Sequence, residues 1–190
     1  MCGRYVLFSD AEAQDIRDII DEVNRKVNGE VKTGEIFPTN FAPILTQHEV
    51  KPELELLKWG YPGFKGKAVI INARSETVEE KSMFRNSIIS KRCIIPSTGF
   101  FEWSHDRKKQ KYLFQLPETK SLYMAGLYSE FNGQRCFVVL TTEANQSMSV
   151  IHNRMPVVLT KPEMTLWLTN TEAAVNILHS GRPMLQKVLV

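Results

Sequence analysis

Cysteine and histidine are scarce in this chain, and long apolar runs are missing from it. The three cysteines are widely spaced, and the four histidines stand singly, so neither a disulfide framework nor a metal-ligand motif is predicted. No apolar run approaches the roughly eighteen residues of a membrane span, and no basic-then-apolar signal peptide opens the chain. We therefore expect a reduced, cytoplasmic protein with no membrane segment, no metal and no cofactor.

A strong excess of charge of one sign is also missing. The net charge is only +3, so any affinity for a polyanion must come from a local cluster of basic residues. The 190 residues are enough for one core, and the 43% hydrophobic share is that of a globular protein. Because linkers, repeats and low-complexity segments are absent, we expect one α+β domain over residues 1–190.

Helical periodicity is clearest near the start of the chain. Ser9 and Glu12 have the spacing of a capping box, and Asn28-Gly29 is a stop signal. Between them, apolar residues recur at helical spacing and predict one apolar face: Ile16, Ile19, Ile20, Val23 and Val27. Further helices are predicted over residues 75–89, 162–168 and 172–178.

Strand-like composition dominates the rest of the chain. Pro38 and Pro43 exclude a helix between them. Residues 106–110 and Asn132-Gly133 are predicted turns, and the strands after residue 90 are expected to form a β-meander. The predicted strands cover residues 2–8, 44–47, 53–59, 67–72, 92–96, 99–103, 111–116, 122–128 and 135–142.

Cys2 directly follows Met1, and a small second residue permits removal of the initiator methionine. The product would carry an amine and a thiol on adjacent carbons. A terminal amine titrates near pH 7.7 to 8.0, whereas a lysine titrates at about 10.4, so part of the terminal amine is a neutral nucleophile near pH 7. An aldehyde is the natural partner, because the amine can form a Schiff base and the thiol can then close a five-membered thiazolidine.

Two other interpretations of Cys2 stay open from the residues alone. The thiol could attack an amide carbonyl with the terminal amine as its base. Alternatively, Cys2 is a small apolar residue that opens a strand. Cys93 and Cys136 stand in apolar strands, and we expect both to be inert core residues.

Two further segments offer groups for acid-base or hydrogen-bonding chemistry. Asn72 follows an apolar strand, residues 68–71, and side chains at a strand end often face a cleft. Glu102 stands between Phe101 and Trp103. It lies either on the solvent face of an alternating strand or in a buried site, where a raised pKa would suit a general acid or base.

His152 and three arginines complete the set of candidate polar groups. The ordinary pKa of histidine would let His152 pass protons, although a single histidine is often structural. Arg4, Arg74 and Arg154 carry forked donors that suit phosphate oxygens. The aromatic loop over residues 59–64 supplies either core side chains or platforms on which bases stack.

With these segments in view, the chain resembles the SRAP family, whose members attach covalently to abasic sites in single-stranded DNA. The resemblance spans nearly the whole sequence, and its specificity comes from the order of many weak motifs. These are Met1-Cys2-Gly3-Arg4-Tyr5, Pro38 with Asn40 and Ala42-Pro43, Trp59-Gly60, Asn72-Ala73-Arg74-Ser75-Glu76-Thr77, Gly99-Phe100-Phe101-Glu102-Trp103, Ala125-Gly126-Leu127-Tyr128, Thr141-Thr142 with Ala144-Asn145, and His152-Asn153-Arg154-Met155-Pro156.

The resemblance implies a fold, a reaction and a role for each candidate. The fold would be β-rich, with twisted antiparallel sheets that form a barrel-like core beside a few helices. Cys2, freed of Met1, would form a thiazolidine cross-link with the sugar aldehyde, with lyase and self-processing peptidase activities beside it. Asn72 would hold the sugar or the N-terminus, Glu102 would deprotonate the amine, and His152 would protonate the ring oxygen.

The resemblance also implies how DNA is bound. Arg4, Arg74 and Arg154 would grip phosphates, and Trp59 with Met83 would stack against bases. The same resemblance adds Asn40, Gly60, Phe84, Arg85 and Thr141 to the DNA-binding set. The implied partner is single-stranded DNA with abasic sites, bound by a monomer that joins the nucleoid during DNA damage if the protein is bacterial.

Two rival functions remain. Class II glutamine amidotransferases also begin Met-Cys-Gly, but their fourth residue is usually Ile rather than Arg4, and no Arg-Gly-Pro-Asp segment follows here. The second rival is a non-enzymatic single-strand binder in which Cys2 is incidental.

Overall fold

The computed structural model describes residues 2–8, 13–48, 51–63 and 68–190, as helices and strands joined by turns and loops. The helices are α1 (Gln14–Val27), α2 (Arg85–Ser90), α3 (Lys161–Thr169) and α4 (Thr171–His179), with a 3-10 turn at Ser75–Thr77. The strands are β1 (Tyr5–Leu7), β2 (Gly34–Ile36), β3 (Phe41–His48), β4 (Lys51–Trp59), β5 (Tyr61–Pro62), β6 (Val69–Ile70), β7 (Asn72–Arg74), β8 (Arg92–Ser97), β9 (Gly99–Trp103), β10 (Lys111–Gln115), β11 (Leu122–Phe131), β12 (Gln134–Glu143), β13 (Arg154–Pro156), β14 (Val158–Leu159) and β15 (Gln186–Leu189). None of the helices in these described ranges is long and apolar enough to cross a membrane.

A closed five-stranded barrel forms the centre of the molecule. Its strands pair in the order β12-β4-β3-β8-β11, and β11 pairs again with β12 to close the ring. The β12–β4 pair is parallel, whereas the other barrel pairs are antiparallel. Closure leaves no open edge among these strands, and their inward side chains form the core. The predicted β-rich α+β fold with a barrel-like core is confirmed.

A second, five-stranded sheet in the order β15-β10-β9-β1-β2 carries the N-terminal strand. β1 pairs antiparallel with both β2 and β9 in this sheet. The turn from β8 to β9 joins the barrel to this sheet, and Thr98 in that turn donates its backbone N–H to the Val6 carbonyl at 2.8 Å. The residues that precede β1 are therefore held beside the end of β9.

Helix α1 follows from its apolar periodicity. Ile16, Ile20 and Val23 are buried, and the helix ends at Asn28, which adopts the left-handed conformation with φ of 50°. That ending confirms the predicted stop signal. The predicted capping box of Ser9 and Glu12 lies outside the described residues.

Two predictions about local structure were wrong. The strands after residue 90 do not form one meander, because β9 and β10 join the second sheet while β8, β11 and β12 join the barrel. The predicted helix over residues 75–89 is a 3-10 turn, a series of turns and the short helix α2. Buried Val78 and Phe84 fix that path, since packing outweighs a weak helical propensity.

Candidate active site

Cys2 lies at the junction of the two sheets and is only 1% exposed. Its carbonyl oxygen accepts a hydrogen bond of 3.0 Å from Asn72 Nδ2. Asn72 begins β7, which runs parallel to β12 with Asn72 opposite Val139. The barrel therefore supplies a rigid support for the amide that holds the N-terminal segment.

Glu102 reaches the same place from β9. The backbone N–H of Phe101 donates to the Arg4 carbonyl at 2.9 Å, which continues the β1–β9 pairing and sets Gly3 opposite Glu102. Glu102 is 6% exposed, so of the two positions foreseen for it the buried one is observed. Burial, followed by the negative charge of Glu102, raises the pKa of the Cys2 thiol to about 12 in the chain that carries Met1.

His152 is the third titratable group of this cluster. It is 8% exposed, and its Nδ1 accepts a 2.9 Å hydrogen bond from the Arg154 backbone N–H. In the neutral ring the proton is therefore on Nε2. Burial lowers the pKa of His152, and the charge of Glu102 acts in the opposite direction. The structure thus brings the four candidates Cys2, Asn72, Glu102 and His152 into one cluster.

Two open clefts flank this cluster and meet at Arg74, which lines both. The first encloses about 670 Å³ and includes Asn72 and Met83. The second encloses about 640 Å³ and includes His152 and Arg154. Arg74 and Met83 are exposed, as a contact with a ligand strand would require.

The other two candidate arginines are held by protein groups. Arg4 Nη1 lies 3.2 Å from Glu35 Oε2, and the guanidinium carbon of Arg4 lies 4.2 Å from the centre of the Phe37 ring. Arg154 forms a two-pronged ion pair with Glu76 at 2.7 and 2.8 Å. Its Nη2 also donates to the carbonyl of Thr141 at 2.8 Å. Of the three arginines expected to grip phosphates, Arg74 is therefore the exposed one.

Several candidate DNA-binding residues are structural instead. Trp59 is 0% exposed, stacks parallel to Phe137 in the core and donates Nε1–H to the Ile71 carbonyl, so the prediction that it stacks on bases is wrong. Thr141 is also buried, at 0% exposed, and Phe84 is 5% exposed and lines the cleft of Asn72 and Met83.

Two more residues of the predicted DNA-binding set have a role in the backbone conformation. Asn40 Oδ1 accepts from the Phe37 N–H at 3.0 Å and from Lys32 Nζ at 2.7 Å, which stabilises the turn before β3. Gly60 is buried and has a φ of 111°, a conformation that favours glycine. Arg85, by contrast, is exposed at the start of α2.

Sequence analysis missed the partners of these groups. Nothing in the sequence distinguishes Glu35, Glu76 or Lys111 from ordinary charged surface residues. Only folding brings Lys111 and Arg4 to the same carboxylate, that of Glu35. The one signal in the sequence for the ion pair with Arg154 was that Glu76 lies in the Asn72–Thr77 segment. Within the ranges that the structure describes, no group of three His, Cys, Asp or Glu side chains could hold a metal ion.

Similarity to known proteins was found at three levels. The family model of the SOS response associated peptidase (SRAP) matches residues 1–188. The abasic site processing protein YoqW of Bacillus subtilis is 37% identical over 186 residues, which cover 88% of this chain and 80% of the relative. The abasic site processing protein YedK of Escherichia coli is 27% identical and covers 88% of this chain and 79% of the relative.

Solved structures share the fold. A protein from Bacteroides thetaiotaomicron has a TM-score of 0.78 at 24% identity, over 100% of this chain and 92% of that one. A phage-related protein from Bordetella bronchiseptica has a TM-score of 0.77 at 25% identity, over 100% of this chain and 94% of that one. Because the family model covers nearly every residue and the fold agrees, the chain belongs to the SRAP family of SOS response associated peptidases.

Proposed function

We propose that this protein processes abasic sites in single-stranded DNA and captures them covalently through Cys2 after Met1 is removed. The observation that carries the proposal is the hydrogen bond of 3.0 Å from Asn72 to the Cys2 carbonyl, beside buried Glu102. That contact fixes the N-terminal segment where a freed amine would meet a carboxylate. The printed names of YoqW and YedK, abasic site processing proteins, agree with the proposed substrate.

The terminal amine would react before the thiol. While Met1 is attached, the nitrogen of Cys2 belongs to a peptide bond and cannot form an imine. Once freed, the amine has an ordinary pKa near 7.7 to 8.0, and Glu102 would accept its proton. The neutral amine would then add to the aldehyde carbon of the open sugar, and loss of water would give the Schiff base.

The thiol would complete the cross-link. With its pKa raised by burial, Cys2 would stay a protonated thiol until the imine has formed. Its sulfur would then add to the imine carbon while its proton passes to the nitrogen, which closes the thiazolidine ring. If the Schiff base instead lost the 3′ phosphate by β-elimination, the strand would be cut, which is the lyase reaction.

His152 would act on the sugar before that step. A cyclic abasic sugar must open before an aldehyde exists, and opening requires a proton at the ring oxygen. Because burial lowers the pKa of His152 and Arg154 donates to Nδ1, the ring would be neutral, and its Nε2–H would donate a hydrogen bond to the sugar ring oxygen. Water would supply the proton that this oxygen takes and accept the proton that the anomeric hydroxyl loses. Holding the aldehyde and amine together would make their condensation effectively unimolecular.

The two clefts that meet at Arg74 offer a path for the DNA backbone. Arg74 would contact a phosphate next to the lesion, and exposed Met83 would pack against a neighbouring base. The Arg154–Glu76 pair would shape the wall of this path. Contacts with the backbone and with base faces carry no sequence information, as a damage sensor requires.

Substitution of Cys2 by alanine separates the roles of its two nucleophiles. The Cys2→Ala protein, freed of Met1, keeps a terminal amine but has no thiol. We expect this protein to form no heat-stable adduct with single-stranded abasic DNA. It should still form a Schiff base, which borohydride reduces to a stable adduct. Intact-mass analysis and denaturing gels measure both species.

Control experiments address the alternatives. A protein that keeps Met1 behind an uncleavable N-terminal extension, with Cys2 unchanged, should form neither adduct. A heat-stable adduct from that protein would refute the mechanism. Ammonia release from glutamine that depends on Cys2 would favour the amidohydrolase. Equal binding of abasic DNA by wild type and Cys2→Ala under native conditions, with no adduct from either protein under denaturing conditions, would favour a non-covalent binder.

A further inference from the structure

His105 lies against His152 although the two residues belong to different segments. Their ring centroids are 4.6 Å apart, and the ring planes are inclined by 43°. His105 is exposed in the loop between β9 and β10, three residues after Glu102, whereas His152 is buried. The exposed ring therefore covers one side of the buried one at the edge of the proposed site.

The loop that carries His105 is held at both of its ends. The Ser104 N–H donates to the Gln110 carbonyl at 2.9 Å, and Ser104 Oγ donates to Asp106 Oδ1 at 2.6 Å. The backbone N–H groups of Lys108 and Lys109 also donate to Asp106 Oδ1, each at 3.2 Å. A carboxylate that accepts these bonds makes a compact turn, so the backbone at His105 is fixed in place.

His152 is then restrained on two sides. The Arg154 N–H holds Nδ1 at 2.9 Å, and the His105 ring packs on its face. Such restraint matters for a hydrogen-bond donor, because a small displacement of the donor weakens its contact with the reacting atoms. Without His105, the ring of His152 would face solvent on that side.

The charges around the pair also bear on the proton that His152 holds. Burial lowers the pKa of His152, Glu102 raises it, and the positive charges of the N-terminal amine and then of His105 lower it again. Arg74, Glu143 and Arg154 line the cleft next to the ring. A positive charge on His105 would oppose protonation of His152, because like charges on rings 4.6 Å apart repel each other.

We propose that His105 is a positioning residue for His152: its ring holds the imidazole of His152 so that Nε2–H donates a hydrogen bond to the sugar. The proposal rests on the proposed function, in which His152 opens the sugar. Nothing in the sequence pointed to His105, because its partner lies forty-seven positions away along the chain.

The test combines two measurements: the pKa of His152 without DNA, and the rate of adduct formation with DNA. Histidine resonances in the NMR spectrum report the pKa of His152 in wild type and in His105→Ala. We expect that pKa to rise in His105→Ala, since both the covering ring and the repelling charge are lost. The rate of adduct formation with abasic single-stranded DNA at pH 7.5 should fall by about threefold or more.

A conservative variant separates positioning from charge. His105→Phe keeps a flat ring on His152, so it should restore the rate at pH 7.5 to within about twofold of wild type. His179→Ala, which removes an exposed histidine from α4, is the matched control and should leave both readouts unchanged.

The failure of this proposal can be told apart from failure of the proposed function. If His105→Ala leaves both the His152 pKa and the rate unchanged, or if His105→Phe is as slow as His105→Ala, the positioning role is wrong. If wild type forms no adduct at all, the proposed function is wrong. The titration without DNA then still decides whether His105 positions His152.

Discussion

Burial acts in opposite directions on two titratable side chains beside the proposed reaction centre. It raises the pKa of the Cys2 thiol to about 12 and lowers the pKa of His152. In both cases the neutral form is favoured, because a charged group loses hydration when it is buried. With Met1 in place, therefore, the resting site holds a protonated thiol and a neutral imidazole beside Glu102.

The lowered pKa of His152 makes a prediction about stability. Because the folded-state pKa lies below the unfolded value of about 6.5, the unfolded chain takes up a proton first as the pH falls. The free energy of unfolding should therefore drop between pH 6.5 and the folded-state pKa. His152→Gln should lose less stability than wild type between pH 7.5 and 5.5.

Urea unfolding at the two pH values measures this difference. His179→Gln is the matched control, since His179 is exposed, and it should follow wild type. An equal loss of stability in His152→Gln and wild type would contradict a depressed pKa for His152.

At the scale of elements, a buried arginine joins two helices to the barrel. Arg92 opens β8 and is 6% exposed. Its guanidinium donates to the carbonyls of Ile88 and Ile89 at the end of α2, and of Trp167 and Leu168 at the end of α3. The last carbonyls of a helix have no partner within it, so one side chain satisfies the ends of both helices.

We predict that Arg92→Met destabilises the protein by about 3–5 kcal/mol, because several buried carbonyls would lose their donor. Urea unfolding measures the change. Arg25→Met is the control: Arg25 is exposed on α1, donates only to the Asp21 carbonyl among the contacts in the described part of the chain, and should change stability by about 0.5 kcal/mol or less. A small effect of Arg92→Met would mean that water satisfies those carbonyls.

At the scale of the whole molecule, β12 organises both the barrel and the site. It pairs in parallel with β4 and β7 and antiparallel with β11 and β13. The barrel closes where β11 lies between β8 and β12. Gly126 stands at that point, opposite Cys93 on one side and Val139 on the other.

We predict that Gly126→Ala weakens barrel closure. An added methyl group would meet the Ile95 side chain, the Val138 carbonyl at 2.8 Å and Cys93 Sγ at 3.0 Å, and the strand backbone cannot yield easily. Overpacking of this kind costs about 1–3 kcal/mol. Thermal unfolding should show a lower midpoint, while Gly29→Ala, where the nearest atom is 3.9 Å away, should stay close to wild type. An unchanged midpoint in Gly126→Ala would show that the barrel can expand.

Local signals predicted much of the fold. The apolar face of α1 and its end at Asn28 followed from helical spacing, and the turn at Asn132-Gly133 is observed with φ values of 51° and 79°. The strands β8 to β12 lie where composition predicted them, and α3 and α4 likewise. In each case the signal in the sequence spans only a few neighbouring positions.

The sequence could not indicate which strands share a sheet, or which side chains lie inside. Trp59 has the composition of a stacking platform, yet the parallel pairing of β4 with β12 sets it opposite Phe137 in the core. Arg154 looked available to phosphate until the fold set Glu76 against it. These outcomes depend on residues roughly seventy to eighty positions apart.

The sequence by itself determined the membership of a family and the two groups that Cys2 can offer once Met1 is removed, because an amine and a thiol on adjacent carbons are present in any fold. Only the tertiary structure decided that Asn72, Glu102 and His152 surround this residue, that Arg74 faces the clefts, and that His105 covers the imidazole. The physical reason is that bonding within one residue is set by its own atoms. Burial and hydrogen bonding, by contrast, depend on strands that the chain brings together only by folding.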